Sequence, residues 1–229
     1  MDSLKTLFLI LVYFFSFTTI SAQELQLMGA SGQIDITPAK GTPIAGFGGG
    51  KRRLIPWDIF NRHKYATLFK PHKGQLDPIR AKVFILKKAE PLLFISLDLV
   101  GTISHFKKHL LPHIKELGFT DKNIFITSTH THSGPGALTY NKLWEYMAMD
   151  KFKRKLYTKF MAQLVTIVRN TYDALEPIKL YTHAYKVPGI QHNRSQKGGL
   201  VDDKANILLM KSVQSQLWLG GMVNLALHG

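Results

Sequence analysis

Leu92-Leu93-Phe94-Ile95-Ser96-Leu97-Asp98-Leu99-Val100 is an apolar stretch of strand length, and its near-continuity predicts a strand buried on both faces. Just before it, Ala81 to Leu86 reads as a second strand. Just after it, Ile103, Phe106, Leu110, Ile114 and Leu117 recur at helical spacing, with Gly118 placed to end the helix and Pro112 awkward in its middle. Asn123 to Thr129 is again strand-like. Further on, Asp150 looks like the cap of a long helix whose stripe is Leu156, Phe160, Leu164, Val168 and Leu175. Ile178 to Val187 returns as a strand, and Asn206 to Val213 and Leu217 to Leu227 form a pair joined by a short polar turn. Strands separated by helices imply an α/β fold, a mixed β-sheet core flanked by helices in one domain.

Toward the N-terminus, Gly32 to Pro38 reads as a short strand closed by a proline. The run Gly46-Phe47-Gly48-Gly49-Gly50-Lys51 follows. This run lacks the Gly-Lys spacing and hydroxyl residue of a phosphate-cradling loop, so close backbone approach or a tight turn is its expected use. Lys51 to Gln75 is basic and aromatic without clear periodicity, including Trp57, Phe60, Tyr65 and Phe69. Such a segment suits either a rim that meets lipid or a surface loop pinned by buried aromatics.

The first residues have the build of a signal peptide: Lys5, then an apolar run from Leu7 to Phe15, then Ser21-Ala22 at a cleavage point. Residues 1–22 are assigned to it, with a retained anchor helix as the alternative. Residues 23–229 are assigned to the mature domain, secreted or held in the periplasm or cell envelope. There is no cysteine, so no disulfide contributes to stability. Thirty Lys and Arg against 15 Asp and Glu give a formal net charge of +15, which favours polyanions or anionic membrane surfaces. The export signal, and the lack of any helix-turn-helix, zinc-finger or RNA-binding signature, argue against nucleic acid as the partner.

Three features could carry chemistry. The sharpest is Ser128-Thr129-His130-Thr131-His132-Ser133-Gly134-Pro135-Gly136, directly after an apolar strand. Alternate residues of an extended chain share a face, so His130 and His132 can point into one site, as metal ligands or as a hydrogen-bonded polar pair. His228 stands at the end of the last apolar strand, where loops begin. Arg194, in Gln191-His192-Asn193-Arg194-Ser195, offers a planar fork for a carboxylate or oxyanion, or is a surface arginine. Asn193-Arg194-Ser195 also fits the glycosylation acceptor pattern. The other histidines, among them His105 and His109, read as loop or exposed-helix residues.

Taken in order, Asp35-Ile36-Thr37-Pro38, Asp77-Pro78-Ile79-Arg80-Ala81, Ser96-Leu97-Asp98-Leu99, the Thr129 to Gly136 run, Asn193-Arg194-Ser195, Val201-Asp202 and Leu227-His228-Gly229 resemble the neutral or alkaline non-lysosomal ceramidases. The resemblance implies a zinc hydrolase that cleaves the amide of N-acylsphingosine by a zinc-activated water. It also implies His130 and His228 as zinc ligands, and His132 and Arg194 as active-site residues. Family members carry further ligands, a glutamate and a tyrosine, beyond the position of Gly229. The expectation is therefore an incomplete catalytic domain with weak or no activity alone. The competing readings are a zinc hydrolase of the same fold acting on another lipid amide or ester, and a non-catalytic basic envelope protein that binds anionic lipid.

Overall fold

The computed structural model describes residues 25–226; the segment assigned to a signal peptide, and His228, lie outside them. The described chain forms one seven-stranded mixed sheet, in the order β4-β3-β2-β1-β5-β6-β7, with helices. The strands are β1 (Met28–Asp35), β2 (Arg80–Lys87), β3 (Pro91–Leu97), β4 (Ile124–Ser128), β5 (Glu176–Lys186), β6 (Lys204–Ser212) and β7 (Trp218–Leu225). Only β3 and β4 run parallel. Antiparallel pairing joins β1 to β2 and β5, β2 to β3, and β5 through β6 to β7.

Two helices cover one face. Helix α1 (Ser104–Leu110) buries Phe106 and Leu110, but Pro112 breaks it. Two 3-10 turns, Leu111–His113 and Lys115–Leu117, carry the chain on to Gly118, which ends it at φ 90°. The apolar spacing from Ile103 to Leu117 therefore survives, while the hydrogen-bond pattern does not, because proline removes a donor. Helix α2 (Arg154–Asp173) buries Leu156, Phe160, Leu164 and Val168, one residue per turn along one stripe. These side chains meet Val83, Ile85, Leu93, Ile95 and Leu97 in the main core.

The expected double burial of β3 is corrected by the structure. Leu93, Ile95 and Leu97 are fully buried under the helices, whereas Leu92, Phe94 and Ser96 face the other side and are only partly covered. There Phe94 stacks on Phe125 at 5.1 Å, and a small cluster gathers around Phe84, Ile178 and Met210. No described helix covers this face.

Asp150 is not the cap of α2. The helix starts at Arg154 after Lys153, which makes no side-chain cap bond. The fully buried Asp150 carboxylate instead accepts the backbone N–H groups of Thr67, Leu68 and Phe69 at 2.9–3.2 Å. A long-range requirement has taken the side chain that local pattern assigned to the helix. Its backbone, at φ 68° and ψ 166°, lies where only glycine is at ease, so these bonds hold a strained residue.

Candidate active site

Four of the quoted motifs, 35–38, 77–81, 96–99 and 129–136, converge at one end of the sheet. Asp35 ends β1, and its carboxylate accepts the Thr37 N–H at 2.7 Å. The Thr37 hydroxyl accepts the Ile79 N–H at 2.9 Å, and Ile36 N–H donates to the Ile79 carbonyl. Arg80 N–H donates to the Asp98 carboxylate at 3.0 Å, and Asp98 N–H donates back to the Arg80 carbonyl. Parallel pairing sets Leu97 opposite Ser128, and the Thr129 N–H bonds the Leu97 carbonyl, so Asp98 and Thr129 leave the sheet side by side. The ends of parallel strands commonly carry sites of this kind. A cavity of about 510 Å³ opens here, lined by Thr37, Asp77, Asp98, Thr131 and Ser133 among others. Its walls thus come from four of the motif segments. The hydrogen bond to Thr37 holds the Asp35 carboxyl below the usual carboxylate range.

At this edge His130 and His132 come together. His130 Nδ1 lies 2.6 Å from the Val100 carbonyl oxygen, an acceptor, so that nitrogen donates and Nε2 is the one turned toward His132. His130 Nε2 is 3.4 Å from His132 Nε2, and the rings meet edge to face at 5.0 Å. Strand alternation is not what unites them. β4 ends at Ser128, and His130 sits at φ 59°, a left-handed kink that turns the chain. The kink does the work expected of an extended segment.

The glycine-rich run makes the close backbone approach expected of it, and it makes it against His132. Gly46, at φ 81°, lies so close that a Cβ there would fall 2.6 Å from His132 Nδ1. A Cβ on Gly48 would overlap the Met147 carbonyl oxygen. Phe47 places its ring 4.4 Å from the His132 ring, and Arg52 donates to the carbonyls of Ala45 and His132. Neither Gly46 nor Phe47 stands out in sequence except through the density of glycines around them.

The segment from Lys51 to Gln75 is a loop pinned by buried aromatics, as one of the two readings expected. Tyr65 and Phe69 are buried and pin it, while Trp57 and Phe60 are exposed. Buried Asp58 organises its outer turn by accepting the N–H groups of Arg62 and His63. Burial opposes ionisation of Asp58, but these donors outweigh it and hold the carboxyl below its ordinary range.

His105 departs from the exposed-helix reading. It is 8% exposed and stacks on Tyr140 at 4.2 Å. Desolvation lowers its pKa and the charge of His109 adds to this, while its bond to the Leu138 carbonyl works the other way. Burial likewise pushes the Tyr157 phenol far above its usual range.

Arg194 occupies the exposed loop between β5 and β6, beside an Asn193 side chain that accepts the N–H groups of Ser195 and Gln196. No described contact joins Arg194 to the histidine pair, and His228 lies outside the described residues. Among the described residues, no three His, Cys, Asp or Glu side chains gather into a metal-binding group.

Residues 60–205 match the family described as neutral/alkaline non-lysosomal ceramidase, N-terminal. The chain is 22% identical over 120 residues to neutral ceramidase B of Dictyostelium discoideum, covering 51% of this chain and 17% of that protein. It is 24% identical over 121 residues to neutral ceramidase of Pseudomonas aeruginosa, covering 50% and 18%. In fold it resembles the crystal structure of the Pseudomonas aeruginosa neutral ceramidase, with a TM-score of 0.67 at 17% identity over 88% of this chain and 32% of that one. A ceramidase complexed with C2 gives 0.70 at 18% identity over 87% and 31%. The chain therefore spans less than a fifth of the length of these curated relatives.

Proposed function

The chain belongs to the neutral/alkaline non-lysosomal ceramidase family, and from this premise we propose that it forms part of a zinc-dependent hydrolase of N-acylsphingosine, yielding a fatty acid and a sphingoid base. The observation that carries the reading is the 3.4 Å separation of the His130 and His132 Nε2 atoms, in a run whose Thr131 and Ser133 line the cavity walled by the motif segments. Two nitrogens each about 2.0–2.1 Å from one tetrahedral zinc lie about 3.4 Å apart, so an ion held at His130 Nε2 would have His132 Nε2 close beside it, near enough to act on what the ion binds. The carbonyl of Val100 supplies the outer hydrogen bond that fixes a ligating imidazole and raises its basicity.

In this reading His130, with His228, holds the ion. Zinc would polarise the amide carbonyl and acidify a water. His132, held by Gly46, Phe47 and Arg52, has one ring face and one nitrogen constrained, which suits a group that moves a proton to the departing sphingoid amine. Arg194 is assigned to binding substrate or the developing oxyanion. Export to the periplasm, envelope or medium, with residues 1–22 as signal peptide, is part of the same proposal. With two of the usual three or more zinc ligands assigned in residues 23–229, we expect slow turnover from this chain by itself.

The test is release of fatty acid from a fluorescent N-acylsphingosine by the chain with zinc in excess. Turnover lost in His130→Ala and in His132→Ala supports the assignment. Turnover equal to wild type in both, or cleavage of an ester analogue but not the amide, overturns it; the second result would favour a same-fold esterase.

A further inference from the structure

We propose that the ridge formed by residues 55–60 and the neighbouring segment 143–147 docks on the surface of an anionic phospholipid bilayer. This rests on the lipid-substrate reading above and adds where the protein would meet that lipid.

The ridge exposes large apolar side chains at the tips of ordered turns. Ile55 is 81% exposed, Ile59 69% and Phe60 78%, and Trp57, Leu143 and Trp144 are also exposed. Scattered exposed apolar residues are ordinary, but a contiguous set marks an interaction surface. Contiguity is shown by the contacts between the two segments. Trp57 meets Tyr146 edge to face at 6.0 Å, and Arg53 lies over both the Phe69 and Tyr146 rings while donating to the Tyr146 carbonyl at 2.6 Å. The turn is built from inside: Asp58, 1% exposed, takes backbone N–H groups from Arg62 and His63 and donates its own to the Thr67 carbonyl. An ordered turn presents Ile59 and Phe60 without the entropy cost of fixing a loop on contact.

Charge decides the occupant. Between Lys51 and Gln75 there are seven Lys and Arg against one acidic residue, Asp58, whose side chain is buried. Exposed Lys51, Lys64 and Lys70 flank the apolar tips. A protein partner would need matching apolar pockets; a bilayer needs only aromatic and aliphatic tips that enter the interface and cations that meet anionic headgroups. No described helix is long and apolar enough to cross a membrane. The ridge is continuous with the site: Gly46 N–H bonds the Ala148 carbonyl, Gly48 packs against Met147, and Phe47 touches His132. Docking here would set the histidine pair beside the lipid.

The experiment is co-sedimentation of the chain with vesicles of phosphatidylserine and phosphatidylcholine, against vesicles of phosphatidylcholine alone, none of them a substrate. Binding is expected to the anionic vesicles and to fall with added salt. Ile59→Ser with Phe60→Ser should lower partition at least about tenfold, and Lys51→Ala with Lys64→Ala about fivefold per cation. Leu217→Ser, an exposed residue of the β6–β7 turn, should leave it unchanged. In a second readout, bromolipid quenching of tryptophan emission should vanish in Trp57→Phe with Trp144→Phe, leaving Trp218 unquenched. Wild-type binding in the Ile59/Phe60 variant, equal loss in Leu217→Ser, no preference for anionic vesicles, or quenching that persists without Trp57 and Trp144 would each overturn the proposal. Vesicle binding together with amide turnover unchanged in His130→Ala and His132→Ala would sink the hydrolase reading alone. Turnover of a soluble short-chain ceramide without vesicle binding would sink the docking surface alone.

Discussion

His130 and His132 turn their Nε2 atoms to within 3.4 Å of each other although the strand that precedes them has already ended. The left-handed backbone at His130, the Val100 carbonyl behind its Nδ1 and the glycine run around His132 all serve that approach. One ion or one proton can therefore be shared at a single point.

If His130 is a ligand and His132 its neighbour, their losses should differ. His130→Ala is expected to lower zinc affinity about 100-fold or more, and His132→Ala about tenfold, as for a group that supports a ligand. Zinc content and competition with a chromophoric chelator measure both. Equal stoichiometric zinc in wild type and His130→Ala would rule out the ligand role.

Gly46→Ala should disturb His132 without unfolding the chain. The added methyl would lie 2.6 Å from Nδ1, at a backbone φ of 81° that costs an L-residue about 1 kcal/mol. The expected outcome is a modest drop in denaturant midpoint and a much larger drop in turnover. Gly48→Ala meets the Met147 backbone instead, which cannot swing aside, and should lose about 1–3 kcal/mol.

Removing the Asp150 carboxylate leaves the N–H groups of Thr67, Leu68 and Phe69 without their acceptor in a buried place. Asp150→Ala should cost about 3 kcal/mol or more in urea unfolding. Asp150→Gly relieves the strained backbone while losing the same bonds, and should be the less damaging of the two. A smaller loss for alanine than for glycine would show that the strain is not borne there.

His105 gives the protein an acid sensitivity with a defined sign. Its pKa is lowered from 6.5 in the folded state, so the unfolded chain binds its proton first. Stability from this residue is complete above about pH 6.5 and is lost as the pH falls toward the lowered folded value. The melting temperature should fall across that window, and less steeply in His105→Gln than in wild type. An identical slope in the variant would show that other groups carry the effect.

Phe106→Ala, at the point where α1 meets α2 and the sheet, should cost about 3–5 kcal/mol by creating a cavity in the main core, read from thermal or urea unfolding.

Sequence alone determined most of the frame. The apolar runs located all seven strands and helix α2 to within a few residues, and the start of α1, because periodic burial is a local signal that each element carries in its own side chains; the end of α1 at Leu110 and the short helical segment 142–149 were not legible in it. The glycine-rich run announced close approach for the same reason: only the absence of a Cβ permits it. The Thr129 to Gly136 run, with its ordered companions, marked both the family and the histidine pair. What only the tertiary structure decided are the relationships between distant residues. Nothing near Asp150 in sequence says that its carboxylate belongs to Thr67, Leu68 and Phe69 rather than to the helix that follows. Nothing in the helical spacing of His105 tells whether Tyr140 will cover it. The face of β3 left without helices, the kink that joins His130 to His132, and the meeting of Trp57 with Tyr146 likewise depend on contacts made across the chain. Buried polar groups and close-packed rings take whichever partner the whole fold brings, and a local pattern cannot name that partner in advance.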